Sequence, residues 1–134
     1  GNSTERRPEN RFPASLEGVI CIGAHDQYGQ RCAFSAKSQH LDVLAPGEGL
    51  LSTDLQRQPV VAFKNTSIAT AFAAGMLALV RQSELERHLP TIACHDFLER
   101  LRHTASANKA ITQGNDVGYG YGLLHPAALL QAVG

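Results

Sequence analysis

The sequence has no tryptophan, a single methionine, three cysteines and no excess of charge of either sign. Lys and Arg number 12, and so do Asp and Glu, so the formal net charge is zero. This balance excludes the basic surface that is typical of proteins binding nucleic acid or an anionic membrane. The longest nearly apolar run, 68–80, is 13 residues long, whereas a membrane-spanning helix needs about 20. We therefore expect neither a nucleic-acid partner nor a membrane partner.

The apolar content is nevertheless that of a folded chain. Of 134 residues, 43% are hydrophobic and 18% are charged, which excludes a disordered charged tail and indicates one domain or part of one. The odd, widely spaced cysteines are a poor disulfide framework. Cys21 and Cys32 lie in apolar runs, so we expect them to pack as small hydrophobic core residues.

The order of the secondary structure elements predicts an α/β fold. The run 18–24 has no polar and apolar alternation, which is typical of a strand buried on both faces of a parallel or mixed sheet. Strands followed by helices indicate α/β layering. The predicted strands are 18–24, 31–35, 41–44, 50–52 and 58–63, and the predicted helices are 66–81, 91–104 and 125–132.

The first predicted helix is apolar on nearly every side between residues 68 and 80. Such a helix is normally buried on all faces, so it needs covering layers on both sides. The few remaining elements supply less covering surface than that. We therefore expect part of the fold to lie outside this chain.

Ser67 lies in the first turn of this helix, directly after a predicted strand. The unpaired N–H groups and the partial positive charge of a helix N-terminus suit a nucleophile whose neighbour must hold an oxyanion. The alternative is purely structural, because Ser and Thr are ordinary N-cap residues and either Thr66 or Ser67 would then cap the helix.

A resemblance to a known family adds to this reading. The stretch 63–79 resembles the nucleophile motif Gly-Thr-Ser-Met-Ala-x-Pro-x-x-Ala-Gly of the subtilisin-like serine peptidases, matching at Thr66, Ser67, Ala69, Ala74 and Gly75. Further blocks are similar to those of the same family and follow in its order. They are the Gly-Asn step at 1–2, the Pro-Ala and Val-Ile-x-x-Gly-Ala block at 12–24, the Ala-Phe-Ser turn at 33–35, the Asp-Val-x-Ala-Pro-Gly block at 42–47, Ser-Thr at 52–53 and the glycine-rich block at 120–127.

The resemblance implies a three-layer α/β/α sandwich with a mostly parallel sheet. Residues 1–134 would form only the C-terminal part of the catalytic domain, because the family orders its triad Asp, His, Ser. The implied function is that of a serine endopeptidase, acting on a peptide or protein substrate through an acyl-enzyme. This chain would be inactive alone and would need the upstream half of the same domain as its partner. The alternative is a degenerate, catalytically dead domain that serves as a binding or scaffold module.

By the same resemblance, Ser67 would be the nucleophile, and the side chain of Asn2 would complete the oxyanion hole together with the backbone N–H of Ser67. Ser3 and Ala14 would lie near the primary specificity pocket, and Pro13 would follow a cis peptide bond. No cofactor is evident in the residues, although the family implies that calcium is possible. No metal ligand set is assigned.

The histidines do not supply the missing base. The chain has six, and none lies in a block resembling the family's His-Gly-Thr. His25 and Asp26 fall where a strand ends, so we expect a surface turn. His95, Glu99 and His103 share a helix face at a spacing that can hold zinc, but neighbouring arginines predict a solvated polar face instead.

Two positions depart from the family pattern. Asn65 replaces the glycine before Thr-Ser, which puts the activity in doubt, and Ala71 replaces the proline of the motif. The segments 65–67 and 2–4 also read as glycosylation sequons. Most family members are exported, whereas unpaired cysteines and sequons at the active site favour an intracellular setting, so the compartment stays open.

Overall fold

The computed structural model describes residues 1–2, 12–61, 64–90, 93–105 and 116–132. Four short strands precede three helices: β1 (Ile22–His25), β2 (Val43–Pro46), β3 (Leu51–Thr53), β4 (Pro59–Val61), α1 (Thr66–Glu86), α2 (Cys94–Thr104) and α3 (Pro126–Gln131). None of the helices within these ranges is long and apolar enough to cross a membrane.

Two parallel strands form the centre of the fold. β1 and β2 pair in parallel, with Ile22 opposite Val43 and Ala24 opposite Ala45. A parallel bridge from Leu44 to Leu123 adds a third neighbour on the other side of β2. Nearly every residue of β1 and β2 is buried, which for β1 is what the run 18–24 without alternation predicts. β3 and β4 form a separate antiparallel pair, and the β3 side chains are exposed.

Three strand predictions need correction. The strand predicted at 18–24 begins only at Ile22, and the strand predicted at 41–44 is Val43–Pro46. The strand predicted at 31–35 is wrong, because only isolated bridges occur there, from Arg31 to His25 and from Ser35 to Asn2. The backbone between them turns, with the N–H of Ser35 donating to the carbonyl of Cys32 at 2.9 Å. A turn does not present the extended series of backbone N–H and C=O groups that pairing with a neighbouring strand requires.

Within the described residues α1 is buried along one side only, as expected of a chain that carries only part of the covering layers. One stripe, including Thr66, Ala69, Ala73 and Val80, is buried and faces β1 and β2. The exposed remainder of the helix surface, which we call the outer face of α1, includes Phe72, Leu79 and Leu85, which are 37%, 49% and 69% exposed. The sheet covers one side of the helix only, and no described element covers the other.

The helices α2 and α3 follow the predicted patterns. Phe97, Leu98 and Leu101 of α2 are buried, as its amphipathic spacing indicates, whereas the predicted inward residue Ile92 lies outside the described residues. Pro126 begins α3, and the Nδ1 atom of His125 caps it by accepting from the N–H of Ala128 at 3.0 Å.

A buried carboxylate ties α1 to α2. The side chain of Glu84 on α1 is 4% exposed and bonds Arg81 at 2.6 Å and Arg100 of α2 at 3.1 Å. The guanidinium of Arg81 also lies 5.5 Å from the centroid of the Phe97 ring. A buried acid needs such partners, because an uncompensated charge in the interior is costly.

A second buried carboxylate holds the glycine-rich loop. Asp42 accepts from the N–H of Cys21 at 2.8 Å and from Nη2 of Arg102 at 2.9 Å, and its carbonyl accepts from the N–H of Tyr121 at 2.7 Å. Arg102 lies 4.9 Å from the centroid of the Tyr121 ring. Gly120 has φ +62°, and a Cβ there would lie 2.4 Å from the Asp42 carbonyl, so this close approach requires glycine.

Candidate active site

The start of α1 is capped by Asn65. Its Oδ1 accepts from the N–H of Ser67 at 2.5 Å and from the N–H of Ile68 at 3.3 Å. The expectation that Thr66 or Ser67 would be the cap is therefore wrong, and Ser67 is the second residue of the helix. Asn65 has φ −169° and ψ 170°, an extended backbone that any residue adopts, so this position does not require the glycine of the family motif.

Ser67 is exposed at the mouth of the helix. Within the described part of the chain its hydroxyl has no hydrogen-bond partner. It lines a cavity of about 340 Å³ together with Thr66 and Thr70 from α1 and residues of the loop before β1. Since this hydroxyl makes no hydrogen bond in the described part of the chain and borders the cavity, a molecule bound in the cavity can reach it.

Asn2 is fixed beside the serine from the far end of the chain. Its Oδ1 accepts from the backbone N–H of Thr66 at 2.8 Å and from the hydroxyl of Thr66 at 2.7 Å. A backbone N–H can only donate, so the oxygen of the amide faces Thr66 and the Nδ2 group faces away from it. Within the described residues Nδ2 has no partner, which leaves its N–H groups free to donate.

The backbone around residue 2 is held as well. Asn2 forms an antiparallel bridge with Ser35, and the carbonyl of Gly1 accepts from the N–H of Ala36 at 2.9 Å. The structure therefore brings Asn2 next to the residue that precedes Ser67, although 64 residues separate Asn2 from Thr66 in the sequence.

The remaining predicted site residues fall as follows. Ala14 lines the same cavity as Ser67, together with Phe12 and Pro13. The peptide bond between Phe12 and Pro13 is cis, as expected. Ser3 lies outside the described residues.

Gly47 is a site residue that the sequence reasoning did not single out. Its carbonyl accepts from the N–H of Asn65 at 3.1 Å. A Cβ at Gly47 would lie 2.5 Å from the Cβ of Ala24 and 3.1 Å from the carbonyl oxygen of Asn65. Glycine thus lets the end of β2 approach the start of α1 closely. The signal was present in the sequence, as a glycine directly after Ala-Pro at the end of a strand.

No histidine or metal cluster completes the site within the described ranges. Asp26 accepts from the N–H groups of Tyr28 and Gln30 at 2.8 and 2.9 Å, so the expected surface turn after His25 is confirmed. His95 and His103 are exposed on α2. Among the residues that the structure describes, no three His, Cys, Asp or Glu side chains are grouped so as to hold a metal ion.

The described thiols are not rival nucleophiles. Cys21 and Cys32 are buried and unpaired, which confirms their expected role as core residues. Burial raises the pKa of the Cys32 thiol to about 11, and the neighbouring carboxylate of Glu48, 3.6 Å from the sulfur, acts in the same direction. Burial also raises the pKa of Cys21. A thiol with a raised pKa carries little of the reactive thiolate at neutral pH.

The arrangement defines a class of protein. An exposed serine in the first turn of a helix set against parallel strands, with an asparagine amide anchored to the residue before it, is compatible with the nucleophile and the oxyanion donor of a serine hydrolase. The comparisons name the family. The model of the Subtilase family matches residues 1–122, and the chain belongs to this family of serine proteases.

Relatives of known identity agree. The chain is 36% identical to subtilisin E of Bacillus subtilis (strain 168) over 120 residues, which are 90% of this chain and 29% of that protein. It is 33% identical to the alkaline elastase YaB of Bacillus sp. (strain YaB) over 117 residues, 87% of this chain and 28% of that protein. The chain thus spans less than a third of these curated relatives.

Solved structures show the same fold. The crystal structure of MycP1 with its N-terminal propeptide removed is similar with a TM-score of 0.78 at 26% identity, covering 97% of this chain and 48% of that one. The CspB protease of Clostridium perfringens is similar with a TM-score of 0.80 at 23% identity, covering 91% of this chain and 28% of that one. The expected α/β class with a subtilisin-like architecture is confirmed.

Proposed function

We propose that residues 1–134 are the C-terminal part of a subtilisin-like catalytic domain that hydrolyses peptide bonds through an acyl-enzyme on Ser67. The observation that carries the proposal is the anchored side chain of Asn2, whose Oδ1 accepts from Thr66 at 2.8 and 2.7 Å, while its Nδ2 has no partner among the residues that the structure describes. Two chain segments far apart in sequence thereby supply a nucleophile and an oxyanion donor at one place.

The proposed reaction follows from these groups. The hydroxyl oxygen of Ser67 attacks the carbonyl carbon of the scissile peptide bond, and its proton passes to the histidine of the upstream half. The Nδ2 group of Asn2 and the backbone N–H of Ser67 donate to the oxygen that becomes negative. The proton then goes to the leaving amine, and water releases the acyl group from Ser67. One such donor is worth about 10²–10³ in kcat.

The outer face of α1 supports the need for another segment. Phe72, Leu79 and Leu85 are 37–69% exposed on this face, whereas an apolar helix face normally lies against another layer. The upstream half of the domain would cover it and bring the catalytic Asp and His. In this proposal Ala14, which lines the cavity beside Ser67, contacts the substrate, and Ser3 does so as well. Calcium binding stays a prediction.

A second candidate is a catalytically dead domain that serves as a binding or scaffold module. One observation favours it: the Oδ1 atom of Asn65 lies 2.5 Å from the N–H of Ser67, the group that the reaction needs as an oxyanion donor. The two candidates differ in whether Ser67 reacts as a nucleophile.

A fluorophosphonate probe separates the two candidates. The complete domain, comprising this chain and the segment that carries the Asp and His, should be labelled at Ser67, and Ser67→Ala should abolish the labelling. Ser52→Ala is the matched control, since it removes an exposed serine of β3 and should change nothing. Asn2→Ala should slow labelling and peptide hydrolysis by about 10²-fold. A folded domain that stays unlabelled would favour the scaffold module.

A further inference from the structure

The cap of α1 competes with the chemistry assigned to the same helix. Ser67 is the second residue of α1, so its N–H has no partner inside the helix. Asn65 fills that role, with its Oδ1 2.5 Å from the nitrogen. The oxygen that develops charge in the transition state must lie at about 2.7–3.1 Å from the same nitrogen.

The N–H of Ser67 cannot donate a good hydrogen bond to both oxygens at once. The N–H of Ser67 carries one hydrogen, and a strong hydrogen bond points that hydrogen at a single acceptor. The oxyanion and Oδ1 of Asn65 would also lie close together if both accepted from this hydrogen, and the charge of the oxyanion would repel the partial negative charge on Oδ1. The side-chain Oδ1 of Asn65 must therefore leave the N–H of Ser67 before the oxyanion can accept from it.

We propose that Asn65 occupies the oxyanion donor of the resting site and thereby sets the rate of this enzyme. Each catalytic cycle first breaks the contact from Oδ1 of Asn65 to the N–H of Ser67 and restores it after the product leaves. This inference rests on the proposed function. It assigns to Asn65 the role of an attenuating residue, which acts through the donor group and not on the substrate.

Substitutions at position 65 give an order of rates. Asn65→Gly removes the competing oxygen, and the extended backbone at φ −169° suits glycine as well as asparagine. Glycine is also a tolerated N-cap that costs only a few tenths of a kcal/mol. Releasing one neutral hydrogen bond, worth about 1 kcal/mol, should raise kcat about fivefold. Asn65→Ala should give a similar gain.

The isosteric change Asn65→Asp separates competition from simple crowding. A carboxylate has the same shape and caps the helix equally well, but its charge holds the N–H of Ser67 more strongly and repels the oxyanion. Competition predicts that kcat falls about tenfold below that of the unmodified domain, because charge-assisted hydrogen bonds are roughly twice as strong as neutral ones. Crowding predicts no change.

A matched control removes a cap elsewhere. His125 caps α3 through a bond of 3.0 Å to the N–H of Ala128, so His125→Gly loses a cap outside the candidate site. This variant should leave kcat unchanged. An equal gain in His125→Gly and Asn65→Gly would mean that helix loosening, and not release of the donor, raises the rate, and would overturn the inference.

Amide exchange gives a readout that needs no catalysis. Because Asn65 is the partner of the Ser67 N–H, exchange of this amide should accelerate at least about tenfold in Asn65→Gly, while amides in the middle of α1 keep their protection. Unchanged protection of the Ser67 amide, or a fall of kcat in Asn65→Gly, would overturn the inference. If no variant, Asn65→Gly included, reacts with fluorophosphonate, the peptidase proposal fails, and amide exchange alone then decides whether Asn65 holds the donor.

Discussion

The pair formed by Asn2 and Thr66 gives the sharpest prediction. Thr66→Val keeps the size and the β-branched shape of a residue that is 4% exposed, but it removes the hydroxyl that donates to Oδ1 of Asn2 at 2.7 Å. The backbone N–H of residue 66 still donates to the same oxygen at 2.8 Å. One of the two anchors of the oxyanion donor is lost and the other stays.

The expected effect lies between no change and loss of the donor. A neutral hydrogen bond contributes about 1 kcal/mol net, whereas loss of a whole oxyanion donor costs about 3–4 kcal/mol. With one anchor left, the amide of Asn2 keeps its place for most of the time, so we expect kcat to fall about tenfold, which is about 1.4 kcal/mol. KM should stay constant, because the donor meets charge only in the transition state.

The assay is steady-state hydrolysis of a peptide p-nitroanilide by the complete domain. Thr104→Val is the matched control, since the hydroxyl of Thr104 donates only to carbonyls of α2, at 2.9 and 3.3 Å. If Thr66 acts through Asn2, Thr66→Val should have no further effect in an Asn2→Ala background. Additive losses in the double variant, or a rise of KM with constant kcat, would refute this reasoning.

Four further predictions concern stability and reactivity. The chain without its upstream half should bind the dye ANS strongly, because the outer face of α1 is uncovered, and a sharp cooperative melt without dye binding would contradict this. Cys32, with a pKa of about 11, should react with iodoacetamide at pH 8 about a hundredfold more slowly than in the urea-unfolded chain, and Glu48→Gln should reduce the difference. In the unfolded chain this thiol ionises near its ordinary pKa of 9.0, whereas in the folded chain it ionises near 11. The free energy of unfolding should therefore be independent of Cys32 below pH 9 and should fall as the pH rises toward 11. Urea titrations of Cys32→Ala and of the parent at several pH values measure this difference. Glu84→Ala removes the carboxylate that lies between Arg81 and Arg100, and it should lower the free energy of unfolding of the complete domain by about 2 kcal/mol. An unchanged urea midpoint would show that these ion pairs do not stabilise the contact between α1 and α2.

The sequence predicted the fold class well and some local elements poorly. The run 18–24 without alternation indicated the doubly buried strand that became β1, and helical spacing indicated α2 with its buried Phe97 and Leu101. The run 31–35 forms only isolated bridges and no strand, because the composition of a short apolar segment does not reveal whether another strand lies beside it. The apolar composition of α1 indicated a surface that needs cover on both sides, and the short list of remaining elements indicated that this chain covers only part of it.

The order of the motifs by itself indicated the family and pointed to Ser67 and Asn2 as candidate site residues. Motif order carries this information because the members of one family keep the same types of catalytic group in the same order along the chain. Tertiary structure decided how those residues meet. It alone showed that Thr66 holds the side-chain oxygen of Asn2, that Gly47 lets β2 approach the helix start, and that Asn65 accepts from the N–H of Ser67. The physical reason is that hydrogen bonds and close approach depend on the positions of atoms that folding brings together from distant parts of the chain, and sequence spacing does not encode those positions.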